Sequence, residues 1–69
     1  MYNILALDQA SRTTGYAIFR DNQLYSHGTF TVTDENIGDR LYKIRSKVLE
    51  LIEDFDIDEV VIEDIYMDG

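Results

Sequence analysis

The sequence predicts an α/β domain with the element order β-β-β-α-β. Apolar residues run together or alternate up to residue 32, whereas over residues 34–55 they recur every three or four positions. The short apolar run at 59–63 then returns to strand character. Because a helix precedes it, this last strand can run parallel to an earlier one. With 69 residues the chain forms at most one small domain.

The first three strands are predicted to form an antiparallel meander. Residues 3–8 are an unbroken apolar run bounded by polar residues, which is typical of a buried central strand, and residues 9–13 are a polar turn. Residues 14–20 are rich in aromatic and β-branched residues and form strand two. Asp21-Asn22-Gln23 is a segment of the kind favoured in turns, so strand two and a third strand over roughly 23–32 are expected to form a hairpin.

The helix and the last strand follow. Thr33 or Asp34 is the expected N-cap of an amphipathic helix that packs one apolar stripe on the sheet. Asp56-Ile57-Asp58 ends the helix, and residues 59–63 form a buried strand that pairs with the first. The stripe consists of Ile37, Leu41, Ile44, Val48, Leu51, Ile52 and Phe55.

Charge and composition exclude some classes of protein. The net charge of −8, from 14 acids against 6 bases, repels phosphates and counts against a self-sufficient nucleic-acid-binding domain. Cations and basic proteins suit such a surface better. There is no Cys, and the apolar run near Met1 is too short for a signal peptide or a membrane span. We therefore predict a cytoplasmic protein without membrane association.

Two carboxylates stand where apolar strands end. Asp8 closes the run at residues 4–7, and Glu63 closes the run at residues 60–62. If the fourth strand lies parallel beside the first, both carboxylates reach the same end of the sheet. Converging carboxylates bind a divalent cation or share a proton. Asp64 is a weaker candidate ligand because adjacent residues of a strand point to opposite faces.

The segments around these acids resemble a known family. Residues 4–17, Ile-Leu-Ala-Leu-Asp-Gln-Ala-Ser-Arg-Thr-Thr-Gly-Tyr-Ala, resemble the opening of RuvC-type Holliday junction resolvases. Within that family the resemblance is closer to the compact RuvC-like proteins of phages of Gram-positive bacteria. Residues 58–67, Asp-Glu-Val-Val-Ile-Glu-Asp-Ile-Tyr-Met, resemble the second acidic motif of that family. The resemblance covers nearly the whole chain but only the first part of a resolvase. We therefore expect residues 1–69 to be a truncated, N-terminal portion of a RuvC-like nuclease domain.

The resemblance implies a fold, an activity and a cofactor. The fold is the first half of a ribonuclease-H-like (RuvC) fold, with an antiparallel meander plus one parallel strand. The activity is structure-selective cleavage of Holliday junctions and branched DNA by two divalent ions, Mg²⁺ or Mn²⁺, about 4 Å apart. Asp8 and Glu63 would be the catalytic metal ligands. A homodimer is expected because a four-way junction needs two symmetric cuts.

The resemblance also implies substrate contacts and a limit. Ser11, Thr13 and Thr14 would contact a phosphate or brace the turn, and Arg12 would reach the DNA backbone. Ala10 stands where the family usually has Gly. The remaining acidic ligands of the family lie on a later helix, beyond residue 69, so we expect these 69 residues to be inactive alone.

Other functions stay open at this point. One alternative is a RuvC-like nuclease that processes ribosomal RNA, or the split nuclease domain of RNA-guided CRISPR effectors. Another is an ATP-binding domain of the actin and sugar-kinase class, which opens with a similar Asp-turn-Thr-Gly hairpin. That class usually has Gly soon after the Asp, whereas this turn has none before Gly15. We expect Gly15 to prevent a Cβ clash beside the turn, and Gly28 to mark a bulge or a close contact.

Overall fold

The computed structural model describes residues 1–9 and 13–63, apart from the side chains of Gln9 and Glu63. The predicted order of three strands, one helix and one strand is confirmed. In chain order the elements are β1 (Asn3–Gln9), β2 (Thr13–Arg20), β3 (Gln23–Thr31), α1 (Ile37–Asp54) and β4 (Glu59–Glu63).

The four strands form one mixed sheet in the order β3-β2-β1-β4. Strand β2 pairs antiparallel with both β1 and β3, and β4 pairs parallel with β1. This is the meander plus parallel strand that the sequence predicts, with the helix as the connection that a parallel pair requires.

The β2–β3 hairpin turns tightly at two residues. Asp21 and Asn22 have φ values of 51° and 69°. A two-residue hairpin turn with positive φ at both positions is type I′, in which Asn and Asp are favoured. Further along, Ile18 pairs with Ser26 while Phe19 pairs with Leu24, so β3 carries one extra residue there as a bulge.

One face of the sheet, the core face, packs against α1. Leu5, Leu7 and Ile18 from the sheet are buried with Leu51 from the helix. The helix adds further contacts only from its second half, through Val48, Ile52 and Phe55. The opposite face carries the alternate strand residues, among them Ala6 and Asp8, and is called the open face below.

Two expectations about burial are wrong. Ile37 and Leu41, at the start of the predicted apolar stripe, are largely exposed. Periodicity shows which side of a helix is apolar, but it does not show how much of the helix length meets the sheet. Strand β4 is also not buried: Val60 is 40% exposed and Ile62 is 62% exposed. In the described sheet β4 is an edge strand with a neighbour on one side only.

The helix begins later than predicted. The N-cap is Asn36, whose Oδ1 accepts a hydrogen bond of 3.1 Å from the backbone N–H of Asp39. The prediction of Thr33 or Asp34 is therefore wrong. The Asp34 carboxylate instead forms an ion pair with Lys43 Nζ at 2.8 Å. Several residues in this segment can cap a helix, and tertiary contacts of this kind decide which one does.

The helix ends without a glycine, where Asp56 takes a left-handed φ of 50°. The N–H of Ile57 donates to the carbonyl of Ile52 at 3.1 Å. This is the six-to-one bond of a Schellman motif, and it turns the chain into β4 as expected from residues 56–58. Within residues 1–9 and 13–63 no helix has the length and apolar character needed to cross a membrane.

Candidate active site

Asp8 and Glu63 stand opposite each other across the parallel pair. The register runs from Ile4 beside Glu59 to Asp8 beside Glu63, the last pair of the ladder. On its other side Asp8 pairs with Gly15 of β2. Neighbouring strands lie about 4.8 Å apart, so the sequence-predicted acids are on adjacent strands at the same end of the sheet.

The Asp8 side chain lies on the open face and is exposed. Leu5 and Leu7 enter the core, so alternation directs Asp8 away from it. Among the described residues, none donates a hydrogen bond or forms an ion pair to the Asp8 carboxylate. Within that part of the chain, no internal contact competes for its oxygens.

A hollow of about 380 Å³ lies beside Asp8. Its lining includes the small residues Ala6, Gly15 and Ala17 of the open face, where Ala6 pairs with Ala17 and Gly15 pairs with Asp8. Small side chains leave room above the strands, and Phe19 adds an apolar wall. The hollow can therefore admit a ligand next to a carboxylate.

Gly15 has a different role from the one predicted. A Cβ built on it would lie 3.8 Å from the Asp8 carbonyl oxygen and 3.9 Å from Asp8 Cβ, which are ordinary contacts. The expected clash is therefore absent and that prediction is wrong. A side chain at this position would, however, rise on the open face beside the carboxylate. Gly15 keeps that space clear.

Gly28 does make the close contact that was predicted. A Cβ there would come within 2.7 Å of Tyr16 Oη. Gly28 pairs with Tyr16 in the β2–β3 ladder, and the tyrosine ring covers it. Since Tyr16 packs against the core, the close contact made by Gly28 lies on the core face.

The predicted substrate-contacting residues do not share one environment. Thr13 alternates with Gly15 onto the open face, where its hydroxyl lies 3.3 Å from that of Thr31. Thr14 is only 4% exposed and alternates onto the core face, away from Asp8. Ser11 and Arg12 lie outside the described residues, as do Ala10 and Asp64. Direct contact with substrate stays a prediction for all four candidates, and the geometry favours Thr13 over Thr14.

The donor set suits a hard divalent cation. Mg²⁺ is commonly held by one or two carboxylates together with water and substrate phosphates. Asp8, with a partner acid at the opposite register position, fits that requirement. No group of three or more His, Cys, Asp or Glu side chains is close enough to hold a metal in the described part of the chain.

The sequence did not reveal a polar network at the other end of the β1–β4 pair. Asn3 is 6% exposed, and its amide nitrogen donates to the carbonyls of Phe55 and Asp56, both at 3.1 Å. Nearby, the Tyr2 hydroxyl donates to Glu59 Oε1 at 2.6 Å, and this bond raises the pKa of Tyr2. A polar residue at the start of an apolar strand was the only local signal.

Comparison with known proteins points to one family. The family described as crossover junction endodeoxyribonuclease RuvC matches residues 4–69. Proteins of that name from Vibrio vulnificus and Aliivibrio fischeri are each 34% identical over 68 residues, covering 93% of this chain and 39% of theirs. The chain thus spans well under half the length of these relatives. The closer relation to phage proteins stays a prediction.

A solved structure has the same fold. The structure of T. thermophilus RuvC in complex with Holliday junction substrate superposes with a TM-score of 0.79 at 16% identity. The match covers 100% of this chain and 46% of that one. At this identity the likeness concerns the fold, and it confirms the predicted ribonuclease-H-like topology.

Proposed function

Since the chain belongs to the RuvC family of crossover junction endodeoxyribonucleases, we propose that its protein is a structure-selective DNA endonuclease. It resolves Holliday junctions and other branched DNA by metal-dependent hydrolysis of a phosphodiester. The observation that carries this proposal is the register of β1 and β4, which sets Asp8 opposite Glu63. Family membership makes an ATP-binding domain the weaker choice.

Asp8 and Glu63 are the proposed catalytic residues and metal ligands. Asp8 has an exposed carboxylate beside a hollow, with small residues around it. Mg²⁺ or Mn²⁺, when bound, polarises the phosphodiester and offsets charge that develops during cleavage. The protein contributes two acids held at one end of a rigid sheet, and Gly15 leaves space for the substrate phosphate. Thr13, whose hydroxyl lies on the same face, is the proposed hydrogen-bond partner of that phosphate.

We further propose that residues 1–69 correspond to the N-terminal part of the nuclease domain. The relatives are longer, and the described residues include no group of three or more side chains that could together hold a metal ion. The net charge of −8 also counts against tight binding of DNA by this portion alone. These 69 residues alone therefore do not cleave junctions. Symmetric cutting of a four-way junction requires a homodimer of the whole protein.

The test is cleavage of a synthetic four-way junction by the whole protein that contains this sequence, with Mg²⁺ or Mn²⁺. Asp8→Asn keeps the size of the side chain but removes the charge that holds the cation. We expect at least a roughly hundredfold loss of cleavage rate, since each 1.36 kcal/mol of lost transition-state stabilisation is about tenfold. Junction binding should persist.

Asp54→Asn is the matched control, because it makes the same change at an exposed position at the end of α1. Its cleavage rate should equal that of the wild type. Wild-type cleavage by Asp8→Asn would disprove the assigned role of Asp8. Substrates of plain duplex and of ribosomal RNA precursor in the same assay separate a junction resolvase from an RNA-processing nuclease.

A further inference from the structure

The start of the β1–β4 pair is closed by reciprocal hydrogen bonds. The backbone N–H of Asn3 donates to Asp58 Oδ2 at 2.8 Å, and the N–H of Asp58 donates to the carbonyl of Asn3 at 2.8 Å. These residues are 55 positions apart in the chain. Asn3 and Asp58, joined by these two hydrogen bonds, are called the clamp below. It joins the first residue of β1 to the residue just before β4.

The Asn3 side chain ties the clamp to the end of the helix. Its Nδ2 donates to the carbonyls of Phe55 and Asp56, and its Oδ1 accepts from Arg20 Nε at 3.3 Å. Both ends of this amide are thus engaged while it is buried. The loop between α1 and β4 cannot shift along β1 without breaking these bonds.

The apolar residues of β4 do not define the register by themselves. Val60, Val61 and Ile62 are consecutive, similar in shape and at least 40% exposed. Register is strongly specified when one face of a strand is buried and weakly specified when neither is. The polar contacts at the start of β4 therefore select among registers that its apolar side chains would tolerate.

The position of the acids depends on that selection. The ladder begins with Ile4 beside Glu59 and ends with Asp8 beside Glu63. A slip of one residue moves β4 by about 3.3 Å and sets Ile62 opposite Asp8 instead. The clamp thus fixes, from the far end of the strands, which residue of β4 stands beside Asp8.

We propose that Asn3 and Asp58 are positioning residues that set the β1–β4 register and thereby hold Glu63 opposite Asp8 for cation binding. The cation part rests on the function proposed above, whereas the register part stands on the hydrogen bonds alone. Neither residue touches the substrate. Their effect on the site is transmitted through the parallel ladder.

The experiment uses NMR spectroscopy of the whole protein that contains this sequence, as in the cleavage assay. Cross-strand nuclear Overhauser effects between β1 and β4 report the register, and Mn²⁺-induced broadening of the Asp8 and Glu63 amide signals reports cation affinity. Asp58→Ala removes the acceptor for the Asn3 N–H. Asp58→Asn removes the charge but keeps an oxygen that accepts. Glu53→Ala removes one acid from the exposed surface of α1 and controls for net charge.

We expect Asp58→Ala to lose the native β1–β4 Overhauser effects and to weaken Mn²⁺ binding about tenfold, which is the order of effect when metal ligands lose the contacts that orient them. Asp58→Asn should restore both, and Glu53→Ala should change neither. Native register in Asp58→Ala would overturn the proposal, and so would an altered register with unchanged Mn²⁺ affinity. Global unfolding of Asp58→Ala would also overturn it, by making Asp58 a residue of general stability.

The two proposals fail in different ways in this experiment. If the wild-type chain shows no Mn²⁺ effect at Asp8, the metal role proposed for the site is contradicted. The Overhauser effects would still decide whether the clamp sets the register.

Discussion

The two ends of the β1–β4 pair are held in opposite ways. At the start, the buried Asn3 shares reciprocal hydrogen bonds with Asp58, the residue just before β4. Beside them the Tyr2 hydroxyl donates a hydrogen bond to Glu59. At the far end Asp8 is exposed, and small residues surround it. The polar contacts that fasten the two strands thus lie at the end away from Asp8. The site end is left free to bind a ligand.

The largest predicted effect is a difference in the free energy of unfolding between two variants, one altered at each end of the β1–β4 pair. Asn3→Ala leaves the carbonyls of Phe55 and Asp56 without their buried donor, and each such loss costs about 1–3 kcal/mol. We expect the free energy of unfolding to fall by about 2–4 kcal/mol. Asp8→Ala, at an exposed position, should change it by no more than about 0.5 kcal/mol.

Urea unfolding followed by circular dichroism measures both variants. We expect a large decrease in the free energy of unfolding for Asn3→Ala and an almost unchanged unfolding curve for Asp8→Ala. Equal destabilisation by the two changes would mean that the site end also stabilises the fold, and the contrast between the ends would fail.

The second prediction compares the two faces of the sheet by replacing one glycine on each face with alanine. Gly28→Ala places a methyl group against the Tyr16 ring, which packs on the core, and should destabilise the protein by about 1–3 kcal/mol. Gly15→Ala meets only ordinary contacts on the open face. It should stabilise the protein by up to about 1 kcal/mol, because alanine has less conformational freedom to lose on folding.

Thermal unfolding of the two alanine variants checks this contrast, and each serves as the control for the other. A Gly15→Ala variant that unfolds at a much lower temperature than Gly28→Ala would show that the open face is packed more tightly than the distances indicate.

Much of this architecture follows from local patterns. The change of periodicity gives the elements, and the helix between strands gives the parallel pairing, so the position of Asp8 beside Glu63 could be predicted. The network at Asn3 could not, because three of its four partners are more than 50 residues away in the chain and no local pattern marks them. The choice of Asn36 as N-cap and the exposure of Ile37 likewise depend on packing that a sequence pattern does not encode.

The smallest effect is a pH dependence at the clamped end. The hydrogen bond from Tyr2 to Glu59 favours the protonated phenol and raises its pKa above the ordinary value of 10.0, with Asp58 adding repulsion. A group whose pKa is raised on folding binds its proton more tightly in the folded state. Its contribution to stability is therefore present below pH 10 and is lost as the pH rises through the folded pKa.

Glu59→Gln removes the charge and should lower the pKa of Tyr2 towards its ordinary value, as measured by ultraviolet absorbance of the tyrosinate form. Glu53→Gln makes the same change on the exposed surface of α1 and should leave the titration unaltered. Because Tyr2 is half exposed, the accompanying change in stability should be small. An unchanged Tyr2 titration in Glu59→Gln would show that the bond to Glu59 does not persist in solution, and that the buried Asn3 contacts hold this end of the strands without it.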